Sequence, residues 1–270
     1  SFVDVVNAAV TLIRRPIPPF RYWRGMRGRS FLYEYFRGQI DERRRGDGAD
    51  LLSQLCRARD EEGERLSDDE IAQHIIFLLF AAHDTTSSAL TTAVWKLAEH
   101  PGWQRRLRTE MFGLDEPLIP YDALAGLVET DWVLKESLRL EPPGAFMVRR
   151  TVRDVQLGPY QLPKNLTISP VSRITHYLPE WWTEPTRFDP ERFSPERAEH
   201  KRHPGVYYPF GGGAHACLGV HLASMQAKAF LHQLLRRFAI ELDARRPTKF
   251  QMVPIPHPTN GLPIRLRPLS

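Results

Sequence analysis

YYPFGGGAHACLGVHLA, residues 207–223, places three consecutive glycines just ahead of Cys217, which opens an apolar helical pattern. Glycine forgoes side-chain packing and costs chain entropy on folding, so three in a row indicate a loop whose backbone must remain bare. A cysteine at a helix N-terminus is favoured as the thiolate, because the helix dipole and the free amides stabilise negative charge there. The stretch therefore predicts a bulky group that lies against the glycines and interacts with the sulfur.

Several common site types fit this stretch poorly. The glycines with Ala216 match the G-x-G-x-x-A form of the dinucleotide fingerprint, but Pro209 breaks the preceding strand and no further βαβ unit follows Asp243. His215 and Cys217 cannot supply the four ligands of a structural zinc site, and no Gly-Lys-Ser/Thr completes a P-loop. A nucleophilic role would explain why a cysteine stands at the start of the helix, but it would not explain the three glycines before it. A flat cofactor whose iron is held by the thiolate accounts for both features.

The composition is that of a globular chain, with 42% hydrophobic and 26% charged residues among 270. Two cysteines, Cys56 and Cys217, argue against a disulfide framework and fit a reducing compartment. The longest apolar run, IIFLLFAA at 75–82, is shorter than the ~20 residues that a membrane span needs. The net charge of +5 comes from arginines set among acids. Either a solvated face or a docking surface for an acidic protein would explain them, and no motif supports nucleic-acid binding.

The first two-thirds of the chain has helical patterning. Ser67-x-x-Glu70 is a capping box, and the helix that it opens is predicted over about 68–100. Its middle is apolar all round, so we expect it to pass through the centre of the fold. From Gly144 onward, short strand-like pieces alternate with Pro and Gly, and one more helix is expected to end near Phe238. The pattern predicts a mainly α structure with small β regions, an α+β fold.

Two polar groups interrupt the helical segments. HDTTSS, residues 83–88, places Asp84 beside hydroxyl side chains, as either a hydrogen-bonded structural patch or a proton relay from solvent. Glu136 and Arg139 are three residues apart and share a helix face with Trp132 and Val128, which would make that face the buried one. We expect a buried structural pair there, since an exposed pair would leave the tryptophan in water.

FGGGAHACLG, residues 210–219, resembles the haem-binding signature of the cytochromes P450. AAHDTT at 81–86 resembles the oxygen-activating motif of that family's central I helix. ESLR at 136–139 resembles its Glu-x-x-Arg motif, and FDPERF at 188–193 resembles the segment whose arginine joins that pair. The four motifs occur in the family's order, and the resemblance covers essentially the whole chain, closest to soluble bacterial members. It implies a P450 fold that lacks its N-terminal portion.

The resemblance implies that Cys217 is the axial ligand of haem iron, with Phe210 packed over its sulfur. Gly213 and Gly219 would let backbone amides approach the sulfur. Further cofactor contacts are expected from Arg149 and His215, which would bind the propionates, and from Ala81. His215 stands where most members have arginine, and Ala82 replaces the usual glycine, which implies a tighter groove for oxygen.

The same resemblance implies roles for the remaining motifs. Asp84 and Thr85 would deliver protons during oxygen cleavage, and Glu136, Arg139 and Arg192 would form a structural clamp. The expected substrate-pocket residues are apolar and bulky: Phe77, Phe80, Phe146, Met147, Val253 and Ile255.

The implied activity is that of a haem-thiolate monooxygenase, which inserts one oxygen atom of O2 into an apolar sterol, terpene or fatty acid. Its cofactor would be haem b, with electrons from NAD(P)H through a ferredoxin- or flavodoxin-type donor and its reductase. We expect a cytoplasmic bacterial protein with no nucleic-acid partner and no transmembrane segment. Residues 1–270 would be the C-terminal part of a single P450 domain, from the G-helix region onward. The alternative is a catalytically incompetent haem-binding or scaffolding fragment, and the Asp84–Thr85 pair disfavours a peroxide-driven peroxygenase.

Overall fold

The computed structural model describes residues 2–9, 11, 14–114, 118–252 and 255–269. The chain divides into two compact units, Ser1–Asp84 and Thr85–Ser270. Helices dominate the described residues, and the strands form small two-stranded sheets, so the predicted α+β class is confirmed.

The first unit is built from three helices and the beginning of a fourth. They are α1 (Phe2–Ala9), α2 (Arg21–Arg45), α3 (Leu51–Arg57) and α4 (Asp68–Glu99). Helices α1 and α2 approach closely, because a Cβ added to Gly25 would overlap the Ala8 side chain. A small core joins Ile40 of α2, Cys56 of α3 and Ile71 of α4. Cys56 therefore serves as a buried apolar side chain.

The N-terminus of α4 is capped by a reciprocal pair of hydrogen bonds. The Ser67 amide donates to a Glu70 carboxylate oxygen at 2.8 Å, and the Glu70 amide donates to Ser67 Oγ at 3.3 Å. The predicted capping box is therefore confirmed. The helix ends at Glu99, and Pro101 begins the next helix at once, because proline is well suited to the first helical turn.

The expectation that the middle of α4 is surrounded on all sides is wrong. Ile71 and Ile75 are buried, whereas Phe77 is 65% exposed. The α2 and α3 side chains that pack on this part of the helix cover only the face that carries the two isoleucines. Although the middle of α4 carries apolar side chains on every face, only one of these faces is buried.

The second unit holds the larger core. Besides the end of α4 it contains the helices α5 (Pro101–Phe112), α6 (Val128–Leu140), α7 (Ser172–Thr175) and α8 (Val220–Arg237). Leu97, Leu107, Val133, Leu231 and Ile240 are among its fully or almost fully buried side chains. Helix α8 matches the helix predicted to end near Phe238.

Among the described residues, four antiparallel two-stranded sheets complete the second unit. The strands are β1 (Arg149–Arg150), β2 (Val155–Leu157), β3 (Tyr160–Leu162), β4 (Thr167–Ile168), β5 (Phe238–Leu242), β6 (Phe250–Gln251), β7 (His257–Pro258) and β8 (Ile264–Pro268). β1 pairs with β4, β2 with β3, β5 with β8, and β6 with β7. Across the described ranges, no helix combines the length and the apolar character that crossing a membrane requires.

Candidate functional site

The loop that carries Cys217 is closed by hydrogen bonds of its own backbone. The Cys217 amide donates to the Phe210 carbonyl at 2.9 Å, and the Gly211 amide donates to the Tyr208 carbonyl at 3.1 Å. The chain then enters α8 three residues after the cysteine. Cys217 is a free, exposed thiol, so its sulfur is held at a helix N-terminus and remains accessible.

Glycine is present in this loop for two different structural reasons. Gly211 and Gly213 have φ values of +73° and +63°, in the left-handed region that side chains disfavour. A Cβ added to Gly212 would meet no atom within 4 Å, so open space lies beside the loop there. A Cβ on Gly219 would lie 3.8 Å from the sulfur of Cys217. The bare backbone thus allows the turn and leaves the sulfur uncovered.

The surroundings of the loop suit a flat apolar group held through sulfur. Leu218, beside the cysteine, is 93% exposed, and Phe146 is 56% exposed. Met147 lies against the loop, since its Sδ is 3.8 Å from where a Gly211 Cβ would be. An accessible thiol, open space beside glycine and exposed apolar side chains are what a haem would require. The residues present therefore fit the cofactor that the sequence implied.

Two basic side chains of the second unit are available for an anionic group. Arg149, half-buried in β1, donates to the Val148 carbonyl at 3.0 Å, and His215 is exposed in the 3-10 turn Gly213–His215. Over the ranges that the structure describes, neither side chain forms a salt bridge with a carboxylate. Both side chains would therefore be free to bind the propionates of a haem.

The polar stretch of α4, residues 83–88, lies partly at the helix surface. Asp84 keeps 30% of its side chain exposed, and its Oδ1 lies 2.6 Å from Nδ1 of His83. Thr85 is exposed, and Ala81 lies one helical turn before it on the same face. The Asp84 carboxylate is therefore half-buried, and the adjacent His83 is its polar partner at the helix surface.

The expected substrate-pocket residues that the structure describes are divided between the two units. Phe77 and Phe80 line a cavity of about 250 Å³ in the first unit, together with Val5, Ala9, Arg29, Gln73 and Ile76. Phe146, Met147 and Ile255 lie in the second unit, and Val253 lies outside the described residues. Next to Ile255, the Pro256 carbonyl accepts a hydrogen bond from buried Ser88 of α4 at 2.5 Å.

The structure brings Glu136, Arg139 and Arg192 together in a network without solvent contact. Arg139 donates to both Glu136 oxygens, Nε to Oε2 at 2.7 Å and Nη2 to Oε1 at 2.9 Å. Arg192 Nε donates to Oε1 at 3.1 Å. All three side chains are fully buried. Trp132 is half-buried against the neighbouring aromatic cluster, but Val128 is 47% exposed, so the predicted buried face does not extend to the first residue of α6.

A second carboxylate, Glu199, balances the charges of this network. Its Oε2 accepts from Arg192 Nη1 at 2.9 Å, and its Oε1 accepts from Arg197. Burial raises the pKa of the Glu199 carboxyl, but the Arg197 hydrogen bond, the Thr183 amide and the arginine charges together hold the pKa below its ordinary value. No sequence pattern indicates Glu199, because nothing local relates it to the Glu-x-x-Arg motif.

His176 is the other residue of the network that the sequence reasoning missed. It follows α7, is fully buried, and its carbonyl accepts from Arg139 Nη1 at 2.7 Å. Burial, reinforced by the charge of Arg139, lowers the pKa of its imidazole to about 4 although the hydrogen bond to the Arg139 carbonyl opposes the shift. The ring is therefore neutral at physiological pH.

The family model described as Cytochrome P450 matches residues 24–262. A putative cytochrome P450 136 of Mycobacterium tuberculosis is 43% identical over 99% of this chain and 55% of its own length. Abscisic acid 8'-hydroxylase 2 of Arabidopsis thaliana is 33% identical over 94% of this chain and 53% of its own. The chain thus spans about half the length of these curated relatives.

Solved structures agree with the sequence comparison. The cyanobacterial CYP120A1, solved with retinoic acid bound, superposes with a TM-score of 0.92 at 30% identity. The match covers 99% of this chain and 62% of that one. The fold predicted from the sequence is confirmed by this similarity.

We predict that Glu136→Gln lowers the free energy of unfolding by about 3–5 kcal/mol, because it leaves two buried guanidiniums with too little negative charge. The measurement is urea denaturation followed by circular dichroism. The control is Glu99→Gln, which breaks the surface pair of Lys96 and Glu99 and should cost under about 1 kcal/mol. Equal losses in the two variants would contradict the importance of the buried network.

Proposed function

This chain belongs to the cytochrome P450 family, and from that membership we propose that it carries the haem-thiolate centre of a monooxygenase. The reaction would insert one atom of O2 into an apolar small molecule. The observation that carries the proposal is the free, exposed thiol of Cys217 at the N-terminus of α8, behind a loop with two left-handed glycines. When bound, haem b supplies the redox chemistry that activates oxygen.

The protein's own part at this centre is to hold the sulfur as a thiolate. Helix α8 begins three residues after Cys217, and the hydrogen bond from the Cys217 amide to the Phe210 carbonyl fixes the backbone at the sulfur. Gly213 permits the turn, and Gly219 leaves the sulfur open on its own side. Arg149 and His215 would bind the propionates, and Ala81 would border the cofactor from α4. The clamp formed by Glu136, Arg139 and Arg192 would keep the supporting backbone in place.

Protons for the reaction would pass along the polar stretch of α4. His83 is exposed to solvent and holds Oδ1 of Asp84 at 2.6 Å, and Thr85 is the next residue of the helix. A carboxylate with a solvent-exposed imidazole partner can be reprotonated rapidly. We therefore assign proton transfer to Asp84 and to the Oγ1 of Thr85.

For the substrate, we favour an apolar molecule that carries an acidic group. The cavity lined by Phe77 and Phe80 is apolar except for Gln73 and Arg29, and among the described residues no acid forms a salt bridge with Arg29. Two relatives are named for acids, one as a hydroxylase of abscisic acid and one as a structure with retinoic acid. A terpenoid or fatty acid would fill such a cavity and pair with the guanidinium, whereas a sterol would leave the charge unpaired.

Electrons would come from NAD(P)H through a ferredoxin- or flavodoxin-type donor and its reductase. The net charge of +5 suits an acidic donor protein. One family model spans residues of both units, which supports a single P450 domain with α2 at the position of the family's G helix. A cytoplasmic location is proposed by analogy with the bacterial relative.

We predict that Cys217→Ser abolishes the red-shifted Soret band of the reduced, CO-treated protein, because oxygen replaces the thiolate sulfur. Cys56→Ser is the matched control, since this thiol is buried in α3 and should leave the band unchanged. Both are measured by difference spectroscopy. A Cys217→Ser protein that kept the band would refute the ligand assignment, and a wild-type protein without it would favour the non-catalytic fragment.

Thr85→Ala is expected to uncouple turnover: NAD(P)H consumption continues while more hydrogen peroxide is released for each product molecule. Asp84→Asn should slow product formation by about 10²-fold, the lower range for losing a positioned proton donor. Ser87→Ala, an exposed hydroxyl on the same helix, is the control and should change neither quantity. If both test variants still coupled NAD(P)H consumption to product formation as wild type does, the polar stretch would have a purely structural role.

Arg29→Gln should weaken the binding of dodecanoic acid by roughly tenfold and leave the binding of its methyl ester unchanged, since only the acid offers a charge to the guanidinium. Titration calorimetry measures both ligands. Arg21→Gln, an exposed arginine of α2 that does not line the cavity, is the control. Equal losses for acid and ester would rule out recognition of the carboxylate.

A further inference from the structure

His176 connects the buried ion network to the chain that leads into the cysteine loop. Its ring Nδ1 lies 3.0 Å from the Arg139 carbonyl, and its Nε2 accepts a hydrogen bond from the Tyr208 amide at 3.2 Å. A carbonyl can only accept and an amide can only donate, so the ring must be neutral, with its proton on Nδ1. Each ring nitrogen therefore has a fixed and different role.

A short series of backbone hydrogen bonds continues from Tyr208 to the sulfur ligand. The Tyr208 carbonyl accepts from the Gly211 amide at 3.1 Å, and the Phe210 carbonyl accepts from the Cys217 amide at 2.9 Å. The Tyr208 hydroxyl lies 3.0 Å from Thr175 Oγ1, next to His176. The segment before the loop is thus held from the α7 side at its backbone and at its side chain.

The environment of the ring explains why it stays neutral. Tyr207 stacks on it with ring centres 5.4 Å apart, and Trp182 and Tyr208 contact it edge-on. The charged group that faces it is Arg139, and within the described ranges no carboxylate contacts the imidazole. Burial and that positive charge both oppose protonation.

We propose that His176 is a positioning residue for the thiolate centre: its neutral ring fixes the backbone ahead of Cys217 relative to the Glu136–Arg139–Arg192 network. The proposal rests on the proposed function of Cys217 and goes beyond it, since the motifs that carry the family resemblance do not include this histidine. Of the two hydrogen bonds that the ring makes, the one from the Tyr208 amide to Nε2 is essential, because it leads toward the cysteine loop.

Two substitutions separate the two bonds of the ring. A glutamine can place its oxygen near the position of Nε2 and accept from the Tyr208 amide. An asparagine can place its amide near Nδ1 and donate to the Arg139 carbonyl, but it is too short to reach Tyr208. We therefore expect His176→Gln to preserve the position of the cysteine loop, and we expect His176→Asn not to preserve it.

The test uses the natural-length, haem-loaded protein, with His74→Gln, an exposed histidine of α4, as the control. The ratio of thiolate-ligated to non-thiolate CO complex is measured by difference spectroscopy. His176→Gln and the control should keep the ratio within about twofold of wild type, and His176→Asn should lower it at least fivefold with haem still bound. Equal ratios in the Gln and Asn variants would overturn the proposal.

A pH titration adds a readout that a purely structural role would not change. Protonation of His176 removes the acceptor on Nε2. The pKa of the ring in the folded protein is about 4, below the ordinary 6.5. The stabilisation that the neutral ring provides is therefore complete above pH 6.5 and is lost as pH falls toward 4. The wild-type thiolate complex should decline over that window. The Gln variant, which does not titrate there, should decline only at lower pH, and superimposable profiles would overturn the proposal.

Hydrogen exchange of the haem-free protein separates this idea from the proposed function. The peptide that covers residues 206–217 should exchange several-fold faster in His176→Asn than in His176→Gln. Faster exchange without any thiolate band in wild type would refute the haem-thiolate function and leave the positioning role intact. Equal exchange beside a normal wild-type band would refute the positioning role alone.

Discussion

Burying the Glu136 carboxylate is the constraint on which the surrounding structure depends. A fully buried charge is tolerated only when it is paired and hydrogen-bonded, and here two guanidiniums bind its oxygens. Their remaining donors bind carbonyls of a long irregular segment, including those of His176, Thr183 and Pro185. The segment has little regular secondary structure, so side-chain donors satisfy backbone groups that a helix or sheet would otherwise satisfy.

This dependence has a consequence for the cysteine loop. Cys217 is exposed, as its proposed role as a metal ligand requires, so packing around the sulfur cannot by itself fix its position. The backbone fixes it instead, through the bond to Phe210 and the support of Tyr208 by His176. Because the surface around the sulfur is uncovered, the apolar side chain of Leu218 is also exposed to water, which is unfavourable.

The residues proposed for proton transfer depend on a different kind of support. Asp84 and Thr85 lie on a regular helix whose backbone bonds are satisfied internally, and His83 binds the Asp84 carboxylate at the surface. Helical geometry alone therefore sets their order and spacing. The cysteine loop depends on distant contacts for its shape, whereas the polar stretch of α4 takes its shape from its own sequence.

The sequence by itself determined the features that arise within a few residues: the Ser67–Glu70 cap, the helix behind Cys217, the glycine turn before it, and the i,i+3 pairing of Glu136 with Arg139. Hydrogen bonds of this kind join neighbours in the chain, so a local pattern is enough to predict them. Tertiary structure decided which faces are buried, and it corrected the expectation that the middle of α4 is surrounded on all sides. It alone placed Glu199 beside Arg192 and His176 between Arg139 and Tyr208, because the His176 contacts join residues more than thirty positions apart and nothing local specifies the Glu199 pairing.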